Sequence, residues 1–313
     1  MNKIAILIPC FNEALSVGKV ISDWKHELPE AEIYVYDNNS TDGTAQAARD
    51  AGALVRNEYR QGKGNVIRSM FSDIDAECYI MVDGDDTYSA AHGREMSELV
   101  LSGMADMVIG DRLSSTYFHE NKRPFHNAGN SAVRALINLI FGSNVRDVMT
   151  GCRAMSYRFV KSFPLVSQGF EIETEMTIHA IDKNMLLKNQ VIGYSDRHDG
   201  SSSKLNTFSD GLKVIRTILH LFCDYRPMLF FSVISAFLAL LSALFFLPVM
   251  NEYLATGLVM RFPTLIVCGF GAVAAMISFF SGVILQTIKN NERRDFEFRL
   301  KEVNEWHKHG SSQ

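Results

Sequence analysis

Over residues 1–205, short apolar runs that end in polar turns alternate with segments whose apolar side chains recur every three or four positions. Ile4–Pro9, Ile33–Asp37, Ala53–Arg56, Tyr79–Val82 and Met107–Ile109 read as strands, and Val17, Val20, Ile21, Trp24 and Leu28 mark one face of a helix. Further helices are predicted from about Thr41, through Val66–Ile74 and near Gly93–Leu101. Strands and helices in alternation build a mostly parallel sheet covered by helices, so this stretch is expected to be a single α/β domain of Rossmann-like type.

Beyond it the pattern changes. Phe208, Leu212, Ile215, Leu219 and Phe222 recur at helical spacing while Asp210, Lys213, Arg216 and His220 take other faces, which makes residues 206–226 an amphipathic helix suited to a membrane surface. A helix covering the preceding domain would show the same pattern. Pro227–Met250 and Phe262–Ile288 then contain no charged residue, and each exceeds the ~20 residues that cross a bilayer. The expectation is a two-helix transmembrane hairpin over 227–288 followed by a tail over 289–313.

Charge orients the hairpin. Lys213, Arg216 and Arg226 precede the first apolar segment and Lys289, Arg293, Arg294, Arg299 and Lys301 follow the second, whereas the basic residues of the intervening loop reduce to Arg261. Basic residues favour the cytoplasmic side, which places the α/β domain and the C-terminal tail there. With 47% hydrophobic residues and a net charge of −4, the chain has enough apolar side chains for a sizeable core and no basic excess pointing to nucleic acid. Cys10, Cys78, Cys152, Cys223 and Cys268 are scattered without a CxxC pair, so neither a disulfide framework nor a zinc site is suggested. Met1-Asn2-Lys3 leads straight into a strand without the features of a signal peptide, in keeping with a cytosolic domain.

Chemistry concentrates where strands end. The run Cys78–Val82 stops at Asp83-Gly84-Asp85-Asp86, and ligands of open α/β sheets bind at the carboxyl ends of strands. Clustered carboxylates repel one another unless a cation sits between them, and Mg2+ or Mn2+ held this way also takes diphosphate oxygens from a substrate. Ile4–Pro9 leads to Cys10-Phe11-Asn12-Glu13, and Ile33–Tyr36 to Asp37-Asn38-Asn39-Ser40-Thr41-Asp42-Gly43-Thr44. Asp37 is suited to a base or ribose, while Ser40 and Thr41 suit a helix cap. Gln61-Gly62-Lys63-Gly64 has neither P-loop nor dinucleotide spacing.

The segments Ile8–Glu13, Asp37–Thr44 and Asp83-Gly84-Asp85 resemble family 2 glycosyltransferases of the GT-A fold. Gly110-Asp111-Arg112, Asp147–Arg153 and Arg197–Lys204 narrow the resemblance to polyprenyl-phosphate glycosyltransferases, relatives of dolichol-phosphate mannose synthase, and the two apolar segments to their bacterial glucosyltransferase branch. The resemblance implies that Pro9, Asn12, Glu13 and Asp37 line a nucleotide pocket with Lys63 nearby, and that Asp83 and Asp85 hold Mg2+ or Mn2+ on the donor diphosphate. Glu171 or Glu173 is placed near the donor by the same analogy. Arg112, Arg197, Ser201, Ser202 and Lys204 would receive the lipid phosphate. Asp147 would stand near the anomeric centre as the catalytic residue, with an ion pair to Arg146 or Arg153 as its purely structural alternative. Thr87 occupies a position where the family often has Gln and is not assigned to metal.

The function so implied is inverting transfer of one sugar from a nucleotide sugar, UDP-glucose or UDP-GlcNAc ahead of GDP-mannose, to undecaprenyl or another polyprenyl phosphate. The place implied is the cytoplasmic face of a bacterial inner membrane. A homo-oligomer and a flippase partner are left open. Asp83-Gly84-Asp85-Asp86-Thr87 also fits the DxDxT signature of haloacid-dehalogenase phosphatases, but there the signature lies on the first strand. A processive polysaccharide synthase would show a QxxRW-like motif, which Trp24 and Trp306 do not supply. An inactive membrane scaffold is disfavoured by the intact Asp83, Asp85, Asp147 and Arg197.

Overall fold

The computed structural model describes residues 2–114, 134–135, 137–165, 171–195 and 222–310. Arg197, Ser201, Ser202, Lys204 and the amphipathic stretch up to residue 221 lie outside the described residues. By contacts, those of Met1–Asp210 together with Phe296–Gln313 form one compact unit, and those of Gly211–Asp295 form a second.

The first unit is built on seven strands: β1 (Asn2–Cys10), β2 (Glu32–Asp37), β3 (Leu54–Asn57), β4 (Ala76–Met81), β5 (Met107–Asp111), β6 (Arg153–Ser156) and β7 (Leu187–Val191). Their spatial order is β3-β2-β1-β4-β6-β5-β7. All neighbours are parallel except β6, which runs antiparallel between β4 and β5. From Ile4 to Cys10 every residue of β1 is buried, as expected of a central strand covered on both faces. Helices α1 (Val17–Glu27), α2 (Thr44–Asp50), α3 (Lys63–Asp73) and α4 (Gly93–Leu101) supply the crossovers. Val17, Val20, Ile21 and Trp24 of α1 all point into the core, joining Ile6, Ile8, Val35 and Ile80. Two helices unforeseen as such follow, α5 (Tyr157–Ser162) and α6 (Ile172–Asp182).

The second unit holds helix α7 (Pro227–Thr256) and most of α8 (Phe262–Gly310). Both are long and apolar enough to cross a membrane. Gly257, at φ 71°, ends α7 in the left-handed conformation open to glycine and lets the chain reverse. Across the hairpin the Ser235 hydroxyl donates to the Ala275 carbonyl at 2.8 Å and the Ser242 hydroxyl to the Cys268 carbonyl at 2.6 Å. Small residues let the backbones approach, Gly271 beside Ser242 and Gly282 beside Phe231. This is the packing that serves helices where water supplies no hydrophobic drive.

The end of α8 lies within the stretch 289–313 read as a tail. From Phe296 onward it belongs with the first unit. Phe296 is 7% exposed. Its ring lies 5.3 Å from that of His179 on α6, which in turn meets Phe159 and Phe163 of the α5 region. The Lys183 ammonium lies 5.3 Å from the same Phe296 ring, and the His307 ring lies 4.7 Å from that of Tyr157, tilted by 48°. The charge pattern alone does not reveal this, because Phe296, Phe298 and Leu300 are interspersed with Arg293, Arg294, Arg299 and Lys301, a mixture that reads as a solvated helix.

Phe296→Ala should therefore destabilise the first unit by about 3 kcal/mol, the usual cost of emptying a buried Phe site. Hydrogen exchange of the α5 and α6 amides in the full chain is the measurement. Unchanged protection would mean that the segment merely rests on the surface.

Candidate active site

The chain runs from β1 outward to β2 and β3 and then crosses back to β4 on the other side of β1, so the strand order reverses between β1 and β4, and their carboxyl ends border the crevice where open α/β sheets bind ligands. Two turns leaving the sheet there are stapled together. The Asn12 amide donates to Ser40 Oγ at 2.9 Å, the Thr41 amide to Asn12 Oδ1 at 2.9 Å, and the Glu13 amide to Thr44 Oγ1 at 2.8 Å. Asn12 and Asn39 take positive φ, a conformation Asn tolerates better than most residues. Because Asp42 Oδ1 accepts from the Thr44 amide and hydroxyl, α2 starts at Thr44, three residues later than its polar pattern suggests. Asn12, Ser40 and Thr41 are thus occupied in holding the turns, whereas Asp37 Oδ1 is buried with no hydrogen-bond partner among the described residues. Pro9 stands one residue before the end of β1, paired with Tyr36.

A third turn is clamped by Asn38. Its side-chain amide donates to the carbonyls of Glu58 and Arg60, both at 2.8 Å, and its Oδ1 accepts from the Gly62 amide at 2.7 Å. This clamp delivers Lys63, the first residue of α3. The Lys63 ammonium lies 2.5 Å from Asp83 Oδ1 and 2.6 Å from Glu173 Oε1 on α6. Burial works against its charge, but Asp83 and Glu173 outweigh burial and raise its pKa above that of an ordinary lysine.

Beside this pair the carboxylates crowd. Glu13 Oε2 is buried without a hydrogen-bond partner among the described residues. Burial, then Asp85 and Asp83, push the Glu13 pKa up to about 8, against a smaller pull from the Cys10 thiol and Lys63. The Cys10 thiol is itself raised by burial and by Glu13. A side chain at Gly84 would overlap Glu13 Oε2 and come within 2.7 Å of Cys10 Sγ, so any larger residue between Asp83 and Asp85 would make the Glu13 carboxyl shift. Asp85 Oδ1 accepts from the Thr87 hydroxyl at 2.6 Å, which gives Thr87 a task in orienting Asp85.

The antiparallel β6 adds the opposite wall. Arg153 pairs with Met81 at the end of β4, which carries Gly151 alongside Asp83; a Cβ there would collide with the Asp83 carboxylate. The Gly151 amide donates to the Tyr88 hydroxyl at 2.9 Å. Arg112 closes the wall, donating to Asp147 Oδ2 at 2.8 Å, to the Met149 carbonyl at 3.1 Å and to the Tyr88 hydroxyl at 3.5 Å. Asp147 is fully buried, and its Oδ1 accepts from the Met149 amide at 3.2 Å. Its ion-pair partner is therefore Arg112, from the end of β5, and neither Arg146 nor Arg153. Arg153, wholly buried, donates to the carbonyls of Val148 and Thr150 and to the Thr177 hydroxyl, and burial lowers its pKa to about 10.

Glu13, Lys63, Asp83 and Asp85 thus form one cluster with Asp37 at the neighbouring strand end, and Arg112 with Asp147 forms a second, Tyr88 touching Gly151 and Arg112. Tyr88 carries no sequence signal of its own as a site-builder, and Gly151 and Arg153 stand within the Asp147–Arg153 motif without an assigned role there. Among the described residues no three His, Cys, Asp or Glu side chains form a ready metal cage. The donor set nevertheless fits Mg2+ or Mn2+. The adjacent Asp83 and Asp85 carboxylates carry negative charge that a hard cation would compensate, Glu13 adds a buried oxygen without a partner among the described residues, and such cations complete their shells with substrate oxygens.

Residues 5–163 match the family model described as "Glycosyl transferase family 2". The chain is 32% identical to glycosyltransferase AglJ of Haloferax volcanii over 75% of its own length and 77% of that protein. It is 25% identical to a dolichyl-phosphate hexose transferase of the same organism, over 72% and 96% of the two chains. A structure of glucosyl-3-phosphoglycerate synthase from Mycobacterium tuberculosis with Mn2+, UDP-glucose and phosphoglyceric acid superposes with a TM-score of 0.56 at 20% identity, covering 71% of this chain and 79% of that one. The shared fold is GT-A.

The raised Glu13 pKa has a sign that can be tested in metal-free protein. The folded state holds its proton more tightly than the unfolded state, so the stabilisation is complete below the ordinary value of 4.5 and is lost as pH rises through about 8. In excess chelator, melting temperature should decline from about pH 5 to about pH 9, and Glu13→Gln should flatten that decline. An identical slope in the variant would show that Glu13 ionises normally.

Proposed function

Because the chain belongs to glycosyl transferase family 2, we propose that it moves one sugar, with inversion, from a nucleotide diphosphate sugar onto a polyprenyl phosphate at a membrane face. The observation that carries this reading is the Glu13–Asp83–Asp85 cluster at the crevice of a chain that also bears two membrane-length apolar helices. A relative named for dolichyl-phosphate hexose transfer supports the lipid acceptor. A structural neighbour holding UDP-glucose and Mn2+ supports the donor and the cation.

In this reading Asp37, with its unsatisfied oxygen, accepts from the ribose or base, and Pro9, Asn12 and Glu13 shape the pocket around it. Asp83 and Asp85 would hold Mg2+ or Mn2+, which when bound supplies positive charge to the departing nucleoside diphosphate. Lys63 reaches the same diphosphate. Arg112 receives the lipid phosphate, together with Arg197, Ser201, Ser202 and Lys204; guanidinium and hydroxyl donors suit that group. A phosphate oxygen forms the bond to the anomeric carbon while the bond from that carbon to the donor diphosphate breaks, its electron pair leaving with the nucleoside diphosphate.

A phosphate monoester has a second pKa of about 6 and is largely ionised near neutrality, so the nucleophile needs little deprotonation. The duty of Asp147 is accordingly to hold Arg112 at the acceptor, close to the anomeric centre. Residues 1–205 with the packed segment from Phe296 make the catalytic domain, residues 206–226 reach the lipid surface and residues 227–288 anchor it. The basic flanks put domain and C-terminus in the cytoplasm, at the inner membrane of a bacterium.

Purified full-length protein should transfer labelled sugar to undecaprenyl phosphate from one of UDP-glucose, UDP-GlcNAc or GDP-mannose, with Mn2+ or Mg2+ present. Asp83→Asn and Asp85→Asn should each lower turnover by at least about a hundredfold, the scale of losing one well-placed electrostatic group. Full turnover in excess EDTA would overturn the metal assignment, and transfer only to sugar hydroxyls the acceptor assignment. Asp147→Asn should raise the KM for lipid as Arg112 loosens, with donor affinity unchanged. Weakened donor binding in that variant would contradict its placement on the acceptor side.

A further inference from the structure

Lys63 is held from two walls, by Asp83 at the end of β4 and by Glu173 at the start of α6, and the function proposed above employs only the first of these carboxylates. The side chains of Lys63 and Glu173 are 9% and 5% exposed. Removing one partner of so enclosed a pair leaves the other charge buried and uncompensated. Asp83 has two claimants, since Lys63 already takes its Oδ1 and a divalent cation at the Asp83–Asp85 pair would compete for the same charge. With Asp83 as its sole anion, Lys63 and the cation would exclude each other.

Glu173 is built to prevent that. It is the second residue of α6, and its backbone carbonyl accepts from the Thr177 hydroxyl at 2.9 Å. Thr177 in turn accepts from the buried guanidinium of Arg153, which shapes the 147–152 loop. These bonds tie the first turn of α6 to the 147–152 loop, and from that helix the Glu173 carboxylate reaches Lys63 at 2.6 Å, from an element other than the β1 and β4 strand ends that carry Glu13 and Asp85.

We propose that Glu173 is a positioning residue that retains Lys63 at the donor diphosphate when a divalent cation draws Asp83 away, so that lysine and cation act on the diphosphate together. The proposal rests on the donor reading given above. It assigns Glu173 no contact with the sugar or the nucleotide; its effect passes through Lys63.

The test is a double-mutant cycle on the full chain in detergent, with calorimetric affinities for Mn2+ with UDP and, in parallel, Mn2+ with GDP. For whichever nucleotide the wild type binds, Glu173→Gln should weaken affinity by about tenfold, and should add nothing further in a Lys63→Gln background. Glu173→Asp, which keeps the charge, should recover part of the loss and carries the cycle if Glu173→Gln does not fold. Wild-type affinity in Glu173→Gln would overturn the proposal while leaving the donor reading intact. A penalty that persists in the Lys63→Gln background would also overturn it, because the residue would then act by another route. Wild-type protein that binds neither nucleotide would fail the donor reading itself, and this inference with it.

Discussion

The site depends on one constraint: carboxylates from two parallel strands and a helix are gathered around a single buried ammonium. Asp83 and Glu173 both lie within 2.6 Å of Lys63, while Glu13 is pushed toward its neutral form by burial and by Asp85 and Asp83. Such a grouping is unfavourable unless positive charge arrives. It is therefore a poor way to stabilise a fold and an effective way to bind a cation with a diphosphate.

The surrounding structure makes the crowding possible. Gly84 and Gly151 give up side chains so that Glu13 and Asp83 can approach. The Asn12, Asp42 and Asn38 bonds fasten three turns into one rim, so that Asp37, Lys63 and Glu13 hold their places before any ligand arrives. Inserting β6 antiparallel between β4 and β5 swings the 147–152 loop back over the crevice, and the buried Arg153 ties that loop down. The pairing of Arg112 with Asp147 follows from this return. A fully parallel sheet would have no loop at that place.

Much of this was legible in the chain. The β1 to β5 strands and the helices between them follow from apolar periodicity, and the strand-end carboxylates are visible as polar punctuation. The rest resisted reading for physical reasons. β6 is four residues beginning with a buried arginine, and β7 reads Leu-Lys-Asn-Gln-Val, an edge strand with few apolar positions. Neither shows the alternation or apolar run that marks a strand. The resemblance sets Lys63 near the donor, but no local pattern pairs it with Asp83 and Glu173, which are remote in sequence. Phe296 was hidden among charges, although it seals an aromatic cluster on α6. Long-range pairing of this sort is a property of the folded topology, to which a local pattern has no access.

Membership of glycosyl transferase family 2 and the GT-A fold set the frame within which these details act. The central claim is narrower: we propose that the charge gathered at the ends of β1 and β4 takes a divalent cation and a nucleoside diphosphate together. Anomalous scattering at the manganese edge, from crystals grown with Mn2+ and the nucleoside diphosphate of the active donor, tests it most directly. The account predicts one strong peak within coordination distance of the Asp83 and Asp85 carboxylates and of diphosphate oxygens. A bound nucleotide with the manganese peak elsewhere, or with none at all, would contradict it.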